Sequence, residues 1–376
     1  MLGKSVLIWG MKAANLLSAF ILILTMVGTI LSPEKFVYLA YLTLAFPLII
    51  AINLVFVIFW MLVRNWFFLL SLSILLFSSS EISNNFPIHI GKTETITVDC
   101  PIHILTYNTM GSGDLKKHTK RKPNKVIQYI LDSNADIVCL QEFTVSNNNV
   151  YLTYEDIIRI FQKYPYKHIQ FNYNENNRHS GVATFSKFPI INKQKVNYNS
   201  GFNGSIYSDI EINGKIIRFV NNHLESNKIT ENDKKIPIRL KNEFTAKELS
   251  GATLNFSRKL GSAYKQRAHQ SDEVARVIES SPYKVIVCGD FNDVPSSYAY
   301  TKIKGNLSDT FSEIGNEFGW TFNDKFYHFR IDYILYDSTA FTPTEYKMDK
   351  VNYSDHYPVY CELNIKDATK TNQLKN

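Results

Sequence analysis

Between Ala13 and Ser80 the chain carries only three charged residues, Glu34, Lys35 and Arg64. They leave three uncharged runs, Ala13 to Ser32, Phe36 to Val63 and Trp66 to Ser80. A helix crossing a bilayer needs roughly 20 apolar residues, so the first two runs are long enough and the third is short. A secretory signal would account for the first run, with Lys4 and Lys12 as its basic head, but leaves the second unexplained. Retained transmembrane helices explain both, with spans expected at about residues 13–32, 36–63 and 66–80 and residues 1–80 as the transmembrane region. Pro47 and Asn53 are tolerable there, because neighbouring helices supply partners for freed polar groups. Lys4, Lys12 and Arg64 would face the cytoplasm. If the third run crosses, everything from about Glu81 onward is extracytoplasmic, and that is the expectation: an integral, multi-pass membrane protein with its polar part outside.

The formal charge of +7 divides into +3 over residues 1–80 (four basic residues against Glu34) and therefore +4 over the remainder. So mild an excess suits an anionic substrate without supplying the concentrated basic stripe of a dedicated nucleic-acid binder. Cys100, Cys139, Cys288 and Cys361 lack metal-ligand spacing. Cys139 and Cys288 sit in apolar runs and read as small core residues.

Residues 81–99 read as a polar linker and 366–376 as a polar tail. Between them, β-branched runs predict strands at Ile102 to Asn108, Asp136 to Glu142, Gly181 to Ser186, Val285 to Cys288, Arg330 to Leu335 and Pro358 to Leu363. Asn213-Gly214 predicts a hairpin joining Ile206–Ile212 to Ile216–Val220. Apolar spacing predicts helices over Pro123 to Asp132, Tyr154 to Tyr164 and Tyr264 to Glu279. Residues 226–262 are lysine-rich without clear periodicity and read as a surface insertion. Many strands with a few helices imply two sheets packed face to face with helices outside.

Several of these runs end in a polar group. Val285 to Cys288 leads through Gly289 to Asp290 and Asn292; others end at Asn108, Glu142 and His223; Asp332 lies in a further strand, and Asp355-His356 precedes the last. Singly, each has an ordinary explanation as an Asx turn, a cap or a loop acid. Jointly they suit one phosphoryl-transfer site. Carboxylates with amides make a poor zinc site and a good one for Mg2+ or Mn2+, which prefer oxygen ligands. Glu142 would hold the metal, while a histidine oriented by Asp290 or Asp332 prepares the water.

Tyr107-Asn108, Leu140-Gln141-Glu142, Asn222-His223-Leu224, Gly289-Asp290-Phe291-Asn292, Arg330-Ile331-Asp332-Tyr333 and Ser354-Asp355-His356-Tyr357-Pro358-Val359 follow in order. The set resembles the endonuclease/exonuclease/phosphatase superfamily, the group of deoxyribonuclease I, over residues 100–365. The resemblance implies a four-layered α/β sandwich and divalent-metal-dependent hydrolysis of phosphoesters. It implies Glu142 as metal ligand, with Asn108 on metal or phosphate and Asp355 near the metal. It further implies His356 as the catalytic histidine, Asp332 orienting a histidine, Asp290 aligning or activating water, Asn292 on a phosphate oxygen and His223 at the phosphate. Met110 stands where the abasic-site endonuclease branch has an acid, and His223 where that branch has a tyrosine, which disfavours abasic-site repair. Arg178 is a further candidate for substrate phosphate. The expected function is a membrane-anchored phosphodiesterase of nuclease type acting on nucleic acid. The alternatives are a phospholipid or sphingomyelin phosphodiesterase acting on a lipid headgroup, an inositol-phosphate-type phosphatase, and a non-catalytic tethered binding module. No protein partner is expected.

Overall fold

A computed structural model describes residues 2–89, 101–228, 246–316, 318–324 and 327–366. Parts of three expectations lie outside them: residues 90–99 of the linker, 229–245 of the insertion and 367–376 of the tail, as does Cys100. The first elements are α1 (Leu2–Ile30), α2 (Pro33–Leu44), α3 (Phe46–Leu62), α4 (Phe68–Phe77), α5 (Ser79–Asn85), β1 (Pro101–Asn108), α6 (Met110–Asp114), α7 (Lys125–Asp132), β2 (Ile137–Ser146) and α8 (Tyr154–Ile160). Then come β3 (Tyr166–Glu175), β4 (Arg178–Ser186), β5 (Ile190–Lys195), β6 (Gly204–Ile212), β7 (Lys215–His223), α9 (Ala246–Glu279), β8 (Lys284–Asp290) and α10 (Tyr298–Lys304). The chain closes with β9 (Ser308–Asp309), α11 (Thr310–Ile314), β10 (Phe322–Asn323), β11 (His328–Phe329), β12 (Asp332–Tyr336), β13 (Phe341–Met348) and β14 (Val359–Ile365).

Contacts divide the described chain into two compact units. The first draws on residues 1–86, 227–268 and 294–302. Within it, Ser5–Ile30 is long and apolar enough by itself to cross a membrane. The expected second span is not one straight helix: α2 and α3 meet at a 58° bend. The break falls at Ala45, and Pro47, which has no amide hydrogen to continue a ladder, opens α3. α2 starts where Ser32 caps it and Pro33 takes the first turn. The expected third span is a helix of only ten residues, α4. The insertion departs from expectation in its second half, where α9 begins at Ala246 and runs unbroken to Glu279. Phe256, Leu260 and Tyr264 recur every four residues and pack on Val37, Ala40, Tyr41 and Leu44 of α2; α9 is amphipathic there because α2 offers it an apolar partner.

The second unit is two six-stranded sheets, ordered β13-β14-β1-β2-β4-β3 and β5-β6-β7-β8-β12-β9. In each, the two central strands run parallel, β1 with β2 and β7 with β8, and the remaining pairs are antiparallel. Isoleucines of both sheets, with Cys139, Cys288 and Cys361, form a buried core between them. A second core lies where α7 and α8 pack on the outer face of the first sheet through Val126, Ile127, Ile130 and Ile157. Sheets flanked by helices are the expected sandwich.

Polar pairs also link the sheets. The His168 ring on β3 shares a 2.9 Å hydrogen bond with Ser208 on β6, and burial, with Lys193 adding, lowers the ring to about 4. A histidine neutral when folded and ordinary when unfolded loses stability as pH falls from about 6.5 toward 4, because the unfolded chain binds the extra proton. The lowering corresponds to at most on the order of 3 kcal/mol. Denaturant midpoints measured between pH 7 and pH 4.5 are therefore expected to fall less steeply for His168→Gln than for the parent; parallel curves would remove His168 as the cause.

Candidate active site

Side chains alternate along a strand, so every second residue of the inner strands faces the opposite sheet. On β1 that face carries Ile102 and Ile104 and ends at Asn108; on β7, Ile217 and Phe219 and then His223; on β8, Ile286 and Cys288 and then Asp290. β12 runs the other way and starts with Asp332 before Ile334 and Tyr336. Register does the rest. Asp290 is paired with His223 on one side and Asp332 on the other, so apolar rows turn polar at one end of the sandwich.

Glu142 needs a further device. Gln141 already occupies the inward position of β2 and donates to Asn221 Oδ1 at 2.8 Å. Strict alternation would turn Glu142 outward, but the register shifts between Leu140 and Phe143 and Glu142 takes φ +50°. This bulge re-aims the carboxylate. Its Oε1 accepts from Asn108 Nδ2 at 3.4 Å and lies 4.0 Å from His223 Nε2. Gly289 is required for a similar reason: at φ +126° a Cβ would stand 2.1 Å from the Asn222 carbonyl oxygen.

Asp290 is the hub. Asn108 Nδ2 donates to its Oδ2 at 3.0 Å and Asn292 Nδ2 at 3.2 Å, while the Asn292 amide donates to Oδ1 at 2.7 Å. Both His223 Nε2 and His356 Nε2 lie 3.8 Å from Asp290 Oδ2. His356 Nδ1 is 2.8 Å from Asp332 Oδ2. The loop carrying His356 is fastened by Ser354, whose hydroxyl donates to the Asn108 carbonyl at 2.8 Å. Thr321 Oγ1 accepts from the amides of Ile331 and Asp332 at 3.1 and 3.0 Å. Thr321 carries no sequence signal, and Ser354 carries only that of the triplet Ser354-Asp355-His356.

Asp355 lies at the rim of this cluster, where its charge raises both Glu142 and His356, and Arg178 stands apart. Asp355 is exposed, and its Oδ1 accepts from the Ser354 hydroxyl at 3.2 Å. Arg178 begins β4 with its guanidinium 5.9 Å from the Tyr151 ring, on the β3–β4 hairpin.

Burial raises the Asp290 carboxyl above the usual range; His356 opposes the rise and Asp332 reinforces it. Burial alone would lower His356, but the carboxylates of Asp332 and Asp290 outweigh it and raise the imidazole. Burial lowers His223, with Asp290 offsetting only part. Glu142 is raised, by burial first. The two histidines thus differ at neutral pH, His356 charged and His223 neutral.

The group can hold a metal. Ligand atoms of Asp290, Asp332 and His356 all lie within 4.8 Å of one another. Asp332 Oδ1 is buried without a hydrogen-bond partner. Four carboxylates and two amides around two imidazoles leave negative charge that a divalent cation with a preference for oxygen would balance.

Residues 105–356 match the family described as the Endonuclease/Exonuclease/phosphatase family. Residues 5–85 match a domain of unknown function, DUF8431. Among solved structures, an endonuclease/exonuclease/phosphatase from Beutenbergia cavernae is similar at 14% identity and TM-score 0.50, covering 72% of each chain. Human nocturnin's catalytic domain, solved with a bound sulfate anion, aligns at 17% identity and TM-score 0.48 over 71% of this chain and 95% of that one. A humanized TDP2 from D. rerio aligns at 15% and 0.47 over 70% and 99%. No curated protein matches.

Proposed function

From the premise that the chain belongs to the endonuclease/exonuclease/phosphatase family, and is a phosphoric ester hydrolase of that family, we propose that it is a divalent-metal-dependent phosphodiesterase of nuclease type. The observation that carries this reading is the His356–Asp332 pair facing Asp290 across 3.8 Å. Glu142, Asn108 and Asp355 would hold Mg2+ or Mn2+; the Asp290–Asp332–His356 group would be the other seat, at the cost of the Asp332–His356 pair. When bound, such a cation withdraws charge from the phosphoryl and leaving oxygens.

The protein's own groups supply the rest. Asp290, its carboxyl raised and fixed by Asn108 and Asn292, accepts a proton from the attacking water. The water oxygen bonds to phosphorus as the ester P–O bond breaks, and the departing alkoxide takes its proton from solvent to leave as an alcohol. His356, held charged by Asp332, donates to a phosphoryl oxygen and stabilises the charge that accumulates there. Asn292 and neutral His223 complete the phosphate cradle, and Arg178 on its hairpin meets a more distant phosphate of a longer substrate.

We also propose that the protein is a multi-pass membrane protein with its hydrolase part outside the cytoplasm. The apolar helix Ser5–Ile30 supports that reading and gives a second substrate, a phospholipid or sphingomyelin headgroup, a claim. The full-length protein in detergent is expected to hydrolyse bis-p-nitrophenyl phosphate and plasmid DNA with Mg2+ and to stop with EDTA. Phosphocholine release from sphingomyelin vesicles with intact DNA would favour the lipid reading; no metal-dependent hydrolysis of any phosphoester would leave a binding module.

A further inference from the structure

The first unit is inverted relative to a water-soluble helical bundle. Its polar side chains are inside. Asn15 Nδ2 donates to Ser71 Oγ at 2.5 Å, Trp60 Nε1 to Asn15 Oδ1 at 2.9 Å, Ser71 Oγ to Asn53 Oδ1 at 3.2 Å and Asn53 Nδ2 to Ser18 Oγ at 2.9 Å. Asn15, Asn53 and Ser71 are each 0% exposed. Leu16, Leu17 and Phe20 of α1 and Ile52, Val55 and Ile58 of α3 are exposed instead. In water this burial is the wrong way round, since large apolar side chains belong inside. In hydrocarbon it is the expected arrangement: outward apolar side chains meet lipid and inward amides and hydroxyls join helix to helix.

The same network orients the short helix α4. Ser71, in its first turn, meets Asn15, and the Ser78 hydroxyl, just past its end, donates to Met26 Sδ at 3.0 Å. Eleven residues separate Asn15 from Met26, about 16 Å along a helix. α4 therefore travels alongside α1 toward the Ile30 end. The opposite end carries Lys12, with its ammonium 5.5 Å from the Trp9 ring and 5.4 Å from the Phe67 ring. Arg64 follows α3 close by in sequence to Phe67, and Trp9 and Trp66 are exposed. Basic residues with exposed tryptophans mark a bilayer surface.

α2 follows the other end of α1 and is not bare. The Tyr41 hydroxyl donates to the Ser257 carbonyl at 2.8 Å, and the Tyr41 and Tyr264 rings meet at 5.9 Å. Gly261 admits the contact, because a Cβ there would stand 2.5 Å from the Tyr41 oxygen. The Ser296 hydroxyl donates to the Thr43 carbonyl at 2.9 Å. Polar chain from residues 254–264 and 296 thus sits on the helix that follows Ile30, away from Lys12.

Resting on the membrane reading above, we propose that α1, α3 and α4 form a lipid-embedded bundle closed by this amide, hydroxyl and indole network. α2 belongs to no span; it lies at the bilayer surface away from Lys12 and Arg64 and is the seat on which residues 254–264 of α9 dock. The partner of the outward faces is acyl chain, and the docking side is extracytoplasmic if Lys12 and Arg64 face the cytoplasm.

The test uses the full chain in sealed cells, with single cysteines introduced in a Cys100→Ser background and a membrane-impermeant maleimide; Cys139, Cys288 and Cys361 are buried. Lys35→Cys and Asn255→Cys are expected to label in intact cells, Arg64→Cys only after permeabilisation, and Val55→Cys in neither case. Ala40→Cys, beneath α9, should label at least about tenfold more slowly than Lys35→Cys from the same side, the mark of a protected site. Labelling of Asn255→Cys and Arg64→Cys from one side would overturn the placement of the docking seat, and equal rates for Ala40→Cys and Lys35→Cys would overturn the docking. A soluble protein whose Val55→Cys labels freely would instead sink the membrane reading itself. Hydrolysis of bis-p-nitrophenyl phosphate by the same samples reports the hydrolase reading independently.

Discussion

Substituting His356 with alanine is expected to lower turnover of bis-p-nitrophenyl phosphate by a factor of about 100 or more, the scale of a lost acid–base or charge-stabilising group. The imidazole is buried, 2.8 Å from one carboxylate and 3.8 Å from another, so its removal takes away both the donor and the charge that two acids were arranged to sustain. Asp332→Asn should produce much of the same loss by lowering the imidazole toward its ordinary range. The signature separating it from a merely structural effect is the pH profile: the limb belonging to the histidine should move to lower pH. Turnover within about threefold of the parent in His356→Ala would remove this residue from the mechanism.

Asp290→Asn is expected to cost about 100-fold to 10,000-fold, the range of a lost general base. The amide is nearly isosteric and can still accept at one oxygen, but it cannot take a proton from water. It also places an N–H donor opposite Asn108 Nδ2 and Asn292 Nδ2, which both donate to Oδ2 of the parent carboxylate. The variant should fold and bind metal, judged by an unchanged Mg2+ concentration for half-maximal residual activity. Retention of full activity would transfer the base to His223, whose neutral ring lies 3.8 Å from Asp290.

Most of the central strands were legible, because buried strands read as apolar runs. The strands that escaped notice are at or near sheet edges. β3, read as part of a polar loop, is the last strand of its sheet, and β13 and β5 are likewise edges. An edge strand keeps one side in water, so β3 has Ile169, Phe171 and Tyr173 alternating with Gln170, Asn172 and Asn174, a signal diluted by its polar half. α9 was half legible for a different reason. Residues 256–264 turn an apolar face toward α2, a partner more than two hundred residues away, and the local sequence periodicity there is broken by lysine and glycine.

For the candidate site, the residue types at the strand tips were readable but their mutual placement was not. Alternation predicts that Asn108, His223 and Asp290 share a face. It predicts the reverse for Glu142, which reaches the group only through a bulge that no sequence pattern announced. The fixing hydroxyls of Thr321 and Ser354 are ordinary loop residues until the fold brings them to Asp332 and Asn108. Adjacent in sequence, Asp355 and His356 part in the structure: His356 turns inward to Asp332, and Asp355 is exposed.

The contact between Tyr41 and Ser257 spans 216 residues, and it sets a clock. At about 5 to 20 residues per second, a ribosome needs roughly 10 to 40 s to deliver Ser257 after Tyr41 has emerged. Throughout that interval the face of α2 that Leu260 and Tyr264 will cover is without them, and on the membrane reading proposed above the bilayer surface would shelter it. A nascent chain arrested before Ala246 would keep that face open indefinitely, so quality-control proteases should find stalled or truncated products of this gene far sooner than the finished protein.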